Sequence, residues 1–426
     1  MLWNKFLFGF YILFIAVNGL NAQNKSMLFS NGIVHTGSGT VYQSGVVGIR
    51  EGKIALCADG RAIKIDPTAW DTIIDLQGRH VYPGFIALNS TIGLREIDAV
   101  RATLDYAEVG EYNPHVRSLP AFNTDSRIIP TVRSNGVLMV QAVPQSGIIS
   151  GSSSVFKLEG WNWEDALLKA DEGIHLFWPE YPVLRSDTGR FDAILRKQQE
   201  IIRFLQESKA YTKSNPESKN LRLEAMRGIW NGKQRLYIHC NRARDIEESV
   251  RWMNQLGISR MAIVGGRESY KLTDLLNKFN VPVVLERIHR LPDTEDQAVD
   301  FPFRLPGLLE KAGLTVVLTY DGDMEAMGTR NLGFTAGTAS AYGCDEETAL
   351  RMITLNAAKV LGIDHQTGSL EVGKSADLFI SEGNALDMQS SQVKMAFIGG
   401  KSISLDNDQK ALYRKYMTKY GLKPNE

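Results

Sequence analysis

Cysteine and histidine are scarce in this 426-residue chain. The three cysteines, Cys57, Cys240 and Cys344, are far apart and show no C-x-x-C spacing. That excludes a thiolate zinc site and a thioredoxin-like motif. One disulfide with a spare thiol, and three free cysteines acting as small apolar residues, both stay open. The seven histidines are His35, His80, His115, His175, His239, His289 and His365, and no two stand at H-x-H or H-x-x-x-H spacing. Excess charge of one sign is also missing, since 48 basic residues face 48 acidic ones. A surface that tracks phosphates needs surplus Lys and Arg, so nucleic acid is not an expected partner. No G-x-S-x-G elbow or Walker A phrase occurs, and no glycine run opens a dinucleotide-type βαβ unit.

Long apolar runs are lacking except near the N-terminus, where Lys5 precedes twelve residues from Phe6 to Val17. A membrane-crossing helix wants about 20 residues. With Leu20-Asn21-Ala22 following, the order of charge, apolar run and small residue is that of a secretory signal peptide over 1–22. An uncleaved anchor is the alternative. The expectation is a mature chain from Gln23, periplasmic, with no membrane span.

The mature chain opens with short β-type runs, Met27–Ser30, Gly45–Arg50, Lys53–Cys57, Thr72–Asp75 and Val81–Tyr82, divided by turn residues. They read as a small antiparallel unit over 23–82. Similar runs return at Ala376–Ile380, Val393–Ile398 and Lys401–Leu405, so both chain ends are expected to build one discontinuous β-sandwich, its second part over 365–406. Residues 407–426 read as a terminal amphipathic helix.

Between them, over 83–364, apolar runs occur at Gly84–Leu88, Val137–Ala142, Val155–Leu158, Ile174–Trp178, Leu236–Cys240, Met261–Val264, Pro282–Leu285 and Thr315–Thr319. Helix-period stretches separate several of them, including the face formed by Ile246, Val250, Met253 and Leu256. Strands alternating with helices imply parallel pairing through right-handed crossovers. Eight such strands fit a (β/α)8 barrel of the TIM type, although counting alone does not separate it from an open sheet. The glycine- and serine-rich stretch Gly147–Ser154 reads as a flexible loop, with an anion-binding turn as the alternative.

Tyr82-Pro83-Gly84-Phe85-Ile86 after a β-rich start resembles the opening of the first barrel strand in the amidohydrolase superfamily. Near the C-terminus, Glu347–Ile363 (ETALRMITLNAAKVLGI) and Gly368–Phe379 (GSLEVGKSADLF) are similar to the last helix and returning β segment of its imidazolonepropionase-like members. The AGTASAYG phrase within Asn331–Gly343 belongs to the same pattern. The resemblance implies a TIM-type barrel flanked by a small β-sandwich. It also implies hydrolysis of C–N bonds other than peptide bonds, by zinc or another divalent metal that acidifies a bound water.

The ligand frames depart from that pattern. Where the resemblance places D-x-H-x-H, the chain has Ala87-Leu88-Asn89-Ser90-Thr91, so Asn89 and Thr91 stand for the imidazoles. In His239-Cys240-Asn241-Arg242, the family's ligand position falls on Asn241, with His239 one strand period earlier. In the sixth strand the ligand is replaced by Gly265. Thr319-Tyr320-Asp321-Gly322-Asp323 keeps a carboxylate, Asp321, at the position that orients or deprotonates the attacking water. Neutral amide, hydroxyl and glycine cannot replace imidazole around zinc, so no cofactor is expected. Strand-end position adds Glu96, Gln145, Glu180, Arg242, His289 and Asp323 as substrate-binding candidates beside Asn89, Thr91, His239 and Asn241.

Two functions follow. One is an exported C–N hydrolase with a reduced site centred on Asp321. The other is a non-catalytic barrel that binds a small amide-like or dipeptide-like ligand, or pairs with an active relative. Homo- and hetero-oligomers are both compatible with the sequence.

Overall fold

The computed structural model describes residues 26–181, 188–214, 217–322 and 324–423. The leader expected over 1–22 and the candidate Asp323 lie outside the described residues.

The first strands are β1 (Met27–His35), β2 (Val41–Arg50), β3 (Lys53–Asp59), β4 (Thr72–Asp75) and β5 (His80–Pro83). The barrel strands follow as β6 (Phe85–Ser90), β7 (Val137–Ala142), β8 (Ile149–Lys157), β9 (Leu167–Phe177), β10 (Arg235–Cys240), β11 (Met261–Gly265), β12 (Val283–Leu285) and β13 (Val316–Leu318). The chain returns through β14 (Leu378–Ser381), β15 (Val393–Ile398) and β16 (Lys401–Ser402). Among the helices are α1 (Thr188–Thr212), α2 (Ala243–Leu256), α3 (Phe301–Lys311), α4 (Leu332–Ala341), α5 (Leu355–Leu361) and α6 (Asp408–Lys419). None among the described residues is long and apolar enough to cross a membrane.

Both chain ends build one sheet in the order β16-β15-β14-β5-β1-β2-β3, with β4 also paired to β1. It is mixed rather than wholly antiparallel, because β1 runs parallel to β4 and β5. The turn at Leu76–Gly78 does not fold β4 back on β5. Its N–H groups bond to Ser30 and Asn31, at 2.8 Å each for Leu76 and Gly78, and hand the chain along the same edge of β1.

The second sheet has eight strands in sequence order, β6 to β13. Short β-branched runs such as Val283–Leu285 and Val316–Leu318 are buried throughout, as parallel strands covered on both faces require. The barrel differs from the expected all-parallel ring at β8, which pairs antiparallel with both β7 and β9. The stretch read as a flexible loop, Gly147–Ser154, largely forms this strand, with Ile149 through Phe156 buried. Its serines fill the wall with small side chains, and the hydroxyls of Ser152, Ser153 and Ser154 find partners inside, which composition alone does not distinguish from a polar loop.

Between β13 and β6 the ladder is interrupted. The hydroxyl of Thr319 donates to the Leu88 carbonyl there, and Asn356 Nδ2 donates to the Val316 carbonyl at 2.9 Å. One end of the barrel is plugged by α5, whose Ala357, Ala358, Val360 and Leu361 pack against Ile86, Leu88, Met139, Tyr237 and Val284. Lys169 Nζ and Arg235 Nε donate to the carbonyls of Leu361 and Val360 at 2.7 and 2.8 Å, placing two cations at the C-terminal end of that helix. Outside, α2 buries Ile246, Val250 and Met253, the face its periodicity predicts, and ends at Gly257 in the left-handed region (φ 89°). Each such side chain is worth about 1.5–3 kcal/mol of burial. The three cysteines are unpaired.

Candidate functional site

Parallel strands aim their C-terminal ends at one mouth of the barrel. Near the end of β6, Asn89 adopts φ 50°, and its N–H donates to Gln141 Oε1 at 2.9 Å. Its own Oδ1 is buried without a partner among the described residues. Two residues on, Thr91 donates through N–H (3.0 Å) and Oγ1 (2.6 Å) to Glu325 Oε2, which is buried with it. Thr91 is therefore committed to holding a carboxylate inside the protein.

Past β10, the Asn241 N–H donates to Glu180 Oε1 at 2.5 Å, and Asn241 Oδ1 accepts from the Arg267 N–H at 3.4 Å. Arg242 donates to the Tyr181 carbonyl at the entrance to α2. Gly265, at the end of β11, has φ 98°, and a Cβ there would lie 2.6 Å from Asn241 Oδ1. The amide of Asn241 thus occupies the space a side chain on residue 265 would need.

Glu286, the residue after β12, stands with its side chain 18% exposed and its Oε2 4.0 Å from Arg267 Nη2. Burial, reinforced by the negative charge of Asp321, pushes its carboxyl up to about 7. Arg267 also pairs with Asp293 at 3.1 Å, while Arg287 lies over the Tyr320 ring at 5.1 Å. The mouth therefore carries carboxylates and guanidiniums instead of a ring of imidazoles.

Inside the wall, His239 Nε2 and His175 Nδ1 are 2.9 Å apart. The ring of His239 stacks on Phe177 at 4.0 Å and that of His175 on Tyr237 at 4.6 Å. Burial drives both imidazoles down, His239 to about 3, so they are neutral at physiological pH.

Other candidates stand apart. Glu96 accepts from Asn123 Nδ2 (3.4 Å) and the Arg127 N–H (3.3 Å) in a cleft that Asp408 and Gln409 of α6 also line. His289 turns to the outer helices, its Nε2 2.7 Å from Thr338 Oγ1 on α4 and its ring beside Phe303 of α3. Gln145 lies in the β7–β8 turn, its N–H bonded to the Tyr106 carbonyl at 2.7 Å. His35 and His80 form a stack with Tyr82, and His35 Nδ1 is 2.5 Å from Glu347.

Reasoning from sequence missed Gln141, Ser153, Glu172, Glu286 and Glu325. Glu286 follows an apolar run just as Glu180 does, so the strand-end rule would have found it. Glu172 was hidden because its strand was read as starting at Ile174, whereas β9 starts at Leu167. Nothing local marks Glu325, whose partner Thr91 is 234 residues away.

The donor set does not fit a divalent metal. No group of three His, Cys, Asp or Glu able to hold an ion occurs among the described residues. Thr91 and Asn241 are engaged within the protein, Gly265 offers nothing, and His239 Nε2 is taken by His175.

The amidohydrolase family profile matches residues 238–403. A stretch of 54 residues is 46% identical to a 5-methylthioadenosine/S-adenosylhomocysteine deaminase of Teredinibacter turnerae, covering 13% of this chain and only 12% of that protein. Among solved structures, an amidohydrolase from Thermotoga maritima is 27% identical with a TM-score of 0.75, over 89% of this chain and 99% of that one. An adenosine deaminase from Xanthomonas campestris with bound zinc shares the fold at 17% identity and a TM-score of 0.53, over 93% and 98% of the two chains.

Proposed function

The chain belongs to the amidohydrolase superfamily, and on that premise we propose that it is an exported member which has given up metal-dependent C–N hydrolysis and uses the barrel mouth to bind a small amide-like or dipeptide-like ligand. The family profile and the structural relatives support a hydrolase of this superfamily and small-molecule substrates. The loss of metal chemistry rests on one observation above the others. At the sixth-strand position Gly265 holds φ 98°, which L side chains rarely adopt, and a Cβ there would stand 2.6 Å from Asn241 Oδ1, so restoring a ligand strains the backbone and displaces the Asn241 amide. Thr91 and Asn241, bound to Glu325 and to Glu180 and Arg267, point the same way.

Export is proposed from the leader-like segment. Pairing with a second copy or with an active relative is also proposed, and a monomer at micromolar concentration, alone and mixed with such a relative, refutes it.

Elemental mass spectrometry of the purified mature chain after incubation with zinc, manganese and iron tests the central reading. The expected result is no stoichiometric ion. A bound ion that Asp321→Ala removes overturns it and restores hydrolysis. A thermal-shift screen of amides, lactams and dipeptides tests the binding role, with stabilisation growing with ligand concentration as the expected outcome. A second reading, metal-free hydrolysis centred on Asp321, is favoured by its charge coupling to Glu286, and turnover of an amide by metal-free protein would select it.

A further inference from the structure

A chain of hydrogen bonds runs inside the barrel wall from a buried carboxylate to the end of β10. Glu172, on β9, is 2% exposed. Its Oε1 accepts from Ser153 Oγ at 2.7 Å and from the Gln141 amide, and its Oε2 accepts from the Tyr237 hydroxyl at 3.0 Å. Ser153 Oγ also lies 3.0 Å from His175 Nε2, and His175 Nδ1 lies 2.9 Å from His239 Nε2. Asp171, just before Glu172, takes a left-handed φ of 46°, and Glu172 and His175 both reach Ser153 although three residues apart. The last nitrogen of the series, His239 Nδ1, has no hydrogen-bond partner among the described residues. Unlike Nδ1 of His115, it is not among the buried unpartnered atoms.

Every link in this series can carry its proton either way. With Glu172 ionised, Ser153 donates to it, His175 Nε2–H donates to Ser153, and His239 Nε2–H donates to His175. His239 then presents a bare Nδ1 lone pair. With Glu172 protonated, each bond reverses and His239 presents Nδ1–H. Stacking on Phe177 and Tyr237 holds the two ring planes in both states.

We propose that Glu172, Ser153, His175 and His239 form a proton relay that makes His239 Nδ1 a proton-accepting site at the barrel mouth, serving a water, hydroxyl or amide N–H bound there. The donor's proton goes to His239 Nδ1. The Nε2 proton of His239 passes to His175 Nδ1, and that of His175 Nε2 to Ser153 Oγ, as the Ser153 hydroxyl proton moves to Glu172 Oε1. One proton leaves the donor, which keeps the electron pair, and one arrives on Glu172. Both imidazoles exchange tautomers and end neutral. Burial favours this outcome at both ends, because it disfavours imidazolium at His175 and His239 and raises the proton affinity of Glu172. The charged and titratable groups facing Glu172 are Tyr237 and Arg235 from β10, with Lys169 and His175 from its own strand.

The relay rests on the reading that no metal claims His239 Nε2. The test is therefore run on protein whose metal content has been measured, so that a bound ion and a failed relay are separate results. Nitrogen NMR of 15N-histidine-labelled protein reports the tautomer of each ring, with His239→Asn assigning the signal. The expected result is that His239 changes from Nδ1–H to Nε2–H as pH rises through the titration of Glu172, without passing through imidazolium, and that Glu172→Gln and Ser153→Ala each abolish the change. A single His239 tautomer at every pH at which the wild-type chain is folded overturns the relay, and this holds even if neither variant folds. A change that persists in folded Ser153→Ala overturns it equally.

Discussion

Replacing Glu286 with Gln isolates the cost of keeping a carboxyl group at the barrel mouth. Its side chain is 18% exposed, and burial together with Asp321 raises the carboxyl from its ordinary 4.5 to about 7. The sign follows from proton binding. Below the unfolded value both states are protonated and the stabilising contribution is complete. Between the two values the unfolded chain releases its proton while the folded chain keeps it, so stability is lost as pH rises, until the folded group ionises near 7. At about 1.4 kcal/mol for each tenfold change in proton affinity, the full loss is about 3 kcal/mol. Gln fills the same volume and has no proton to release. Urea unfolding of both proteins across this pH window, with unchanged m-values, gives the difference in stability at each pH. The variant should gain on the wild type by about 3 kcal/mol as pH rises, then hold that gain. A difference that is flat or falls with pH refutes the account of Glu286 as a carboxyl strained by burial and by Asp321.

Thr91→Val removes one hydroxyl donor from the buried carboxylate of Glu325 and should cost about 1–3 kcal/mol in urea unfolding; a neutral change would mean that Thr91 is free to serve a ligand. Gly265→Ala places a side chain at φ 98°, 2.6 Å from Asn241 Oδ1, and should destabilise by about 1–3 kcal/mol, read in the same assay. No measurable cost would show that the sixth-strand position can accept a side chain, and would weaken the argument against a metal. Tyr237→Phe deletes the donor to Glu172 Oε2 at 3.0 Å and should also cost about 1–3 kcal/mol, whereas a more stable variant would show that Glu172 does not need that bond.

Local pattern determined much of this protein. Short β-branched runs such as Val283–Leu285 and Val316–Leu318 are strands because the barrel buries them on both faces. Ile246, Val250 and Met253 recur at helical spacing and form the buried face of α2. The same linear reading aligned Asn89, Thr91, Asn241 and Gly265 with the positions where the family resemblance implies imidazole, an alignment that rests on the motif frame alone. Only the tertiary structure decided what those replacements do. Ser152, Ser153 and Ser154 have the composition of a loop, yet β8 buries them between two antiparallel neighbours. Glu325 meets Thr91 across 234 residues, and Glu172 meets Tyr237 across 65. Hydrophobic periodicity is written over a few neighbouring residues and can be read in order. A buried polar group is stable only through partners that closure of the barrel brings to it, so the proton chemistry of the mouth belongs to the folded chain.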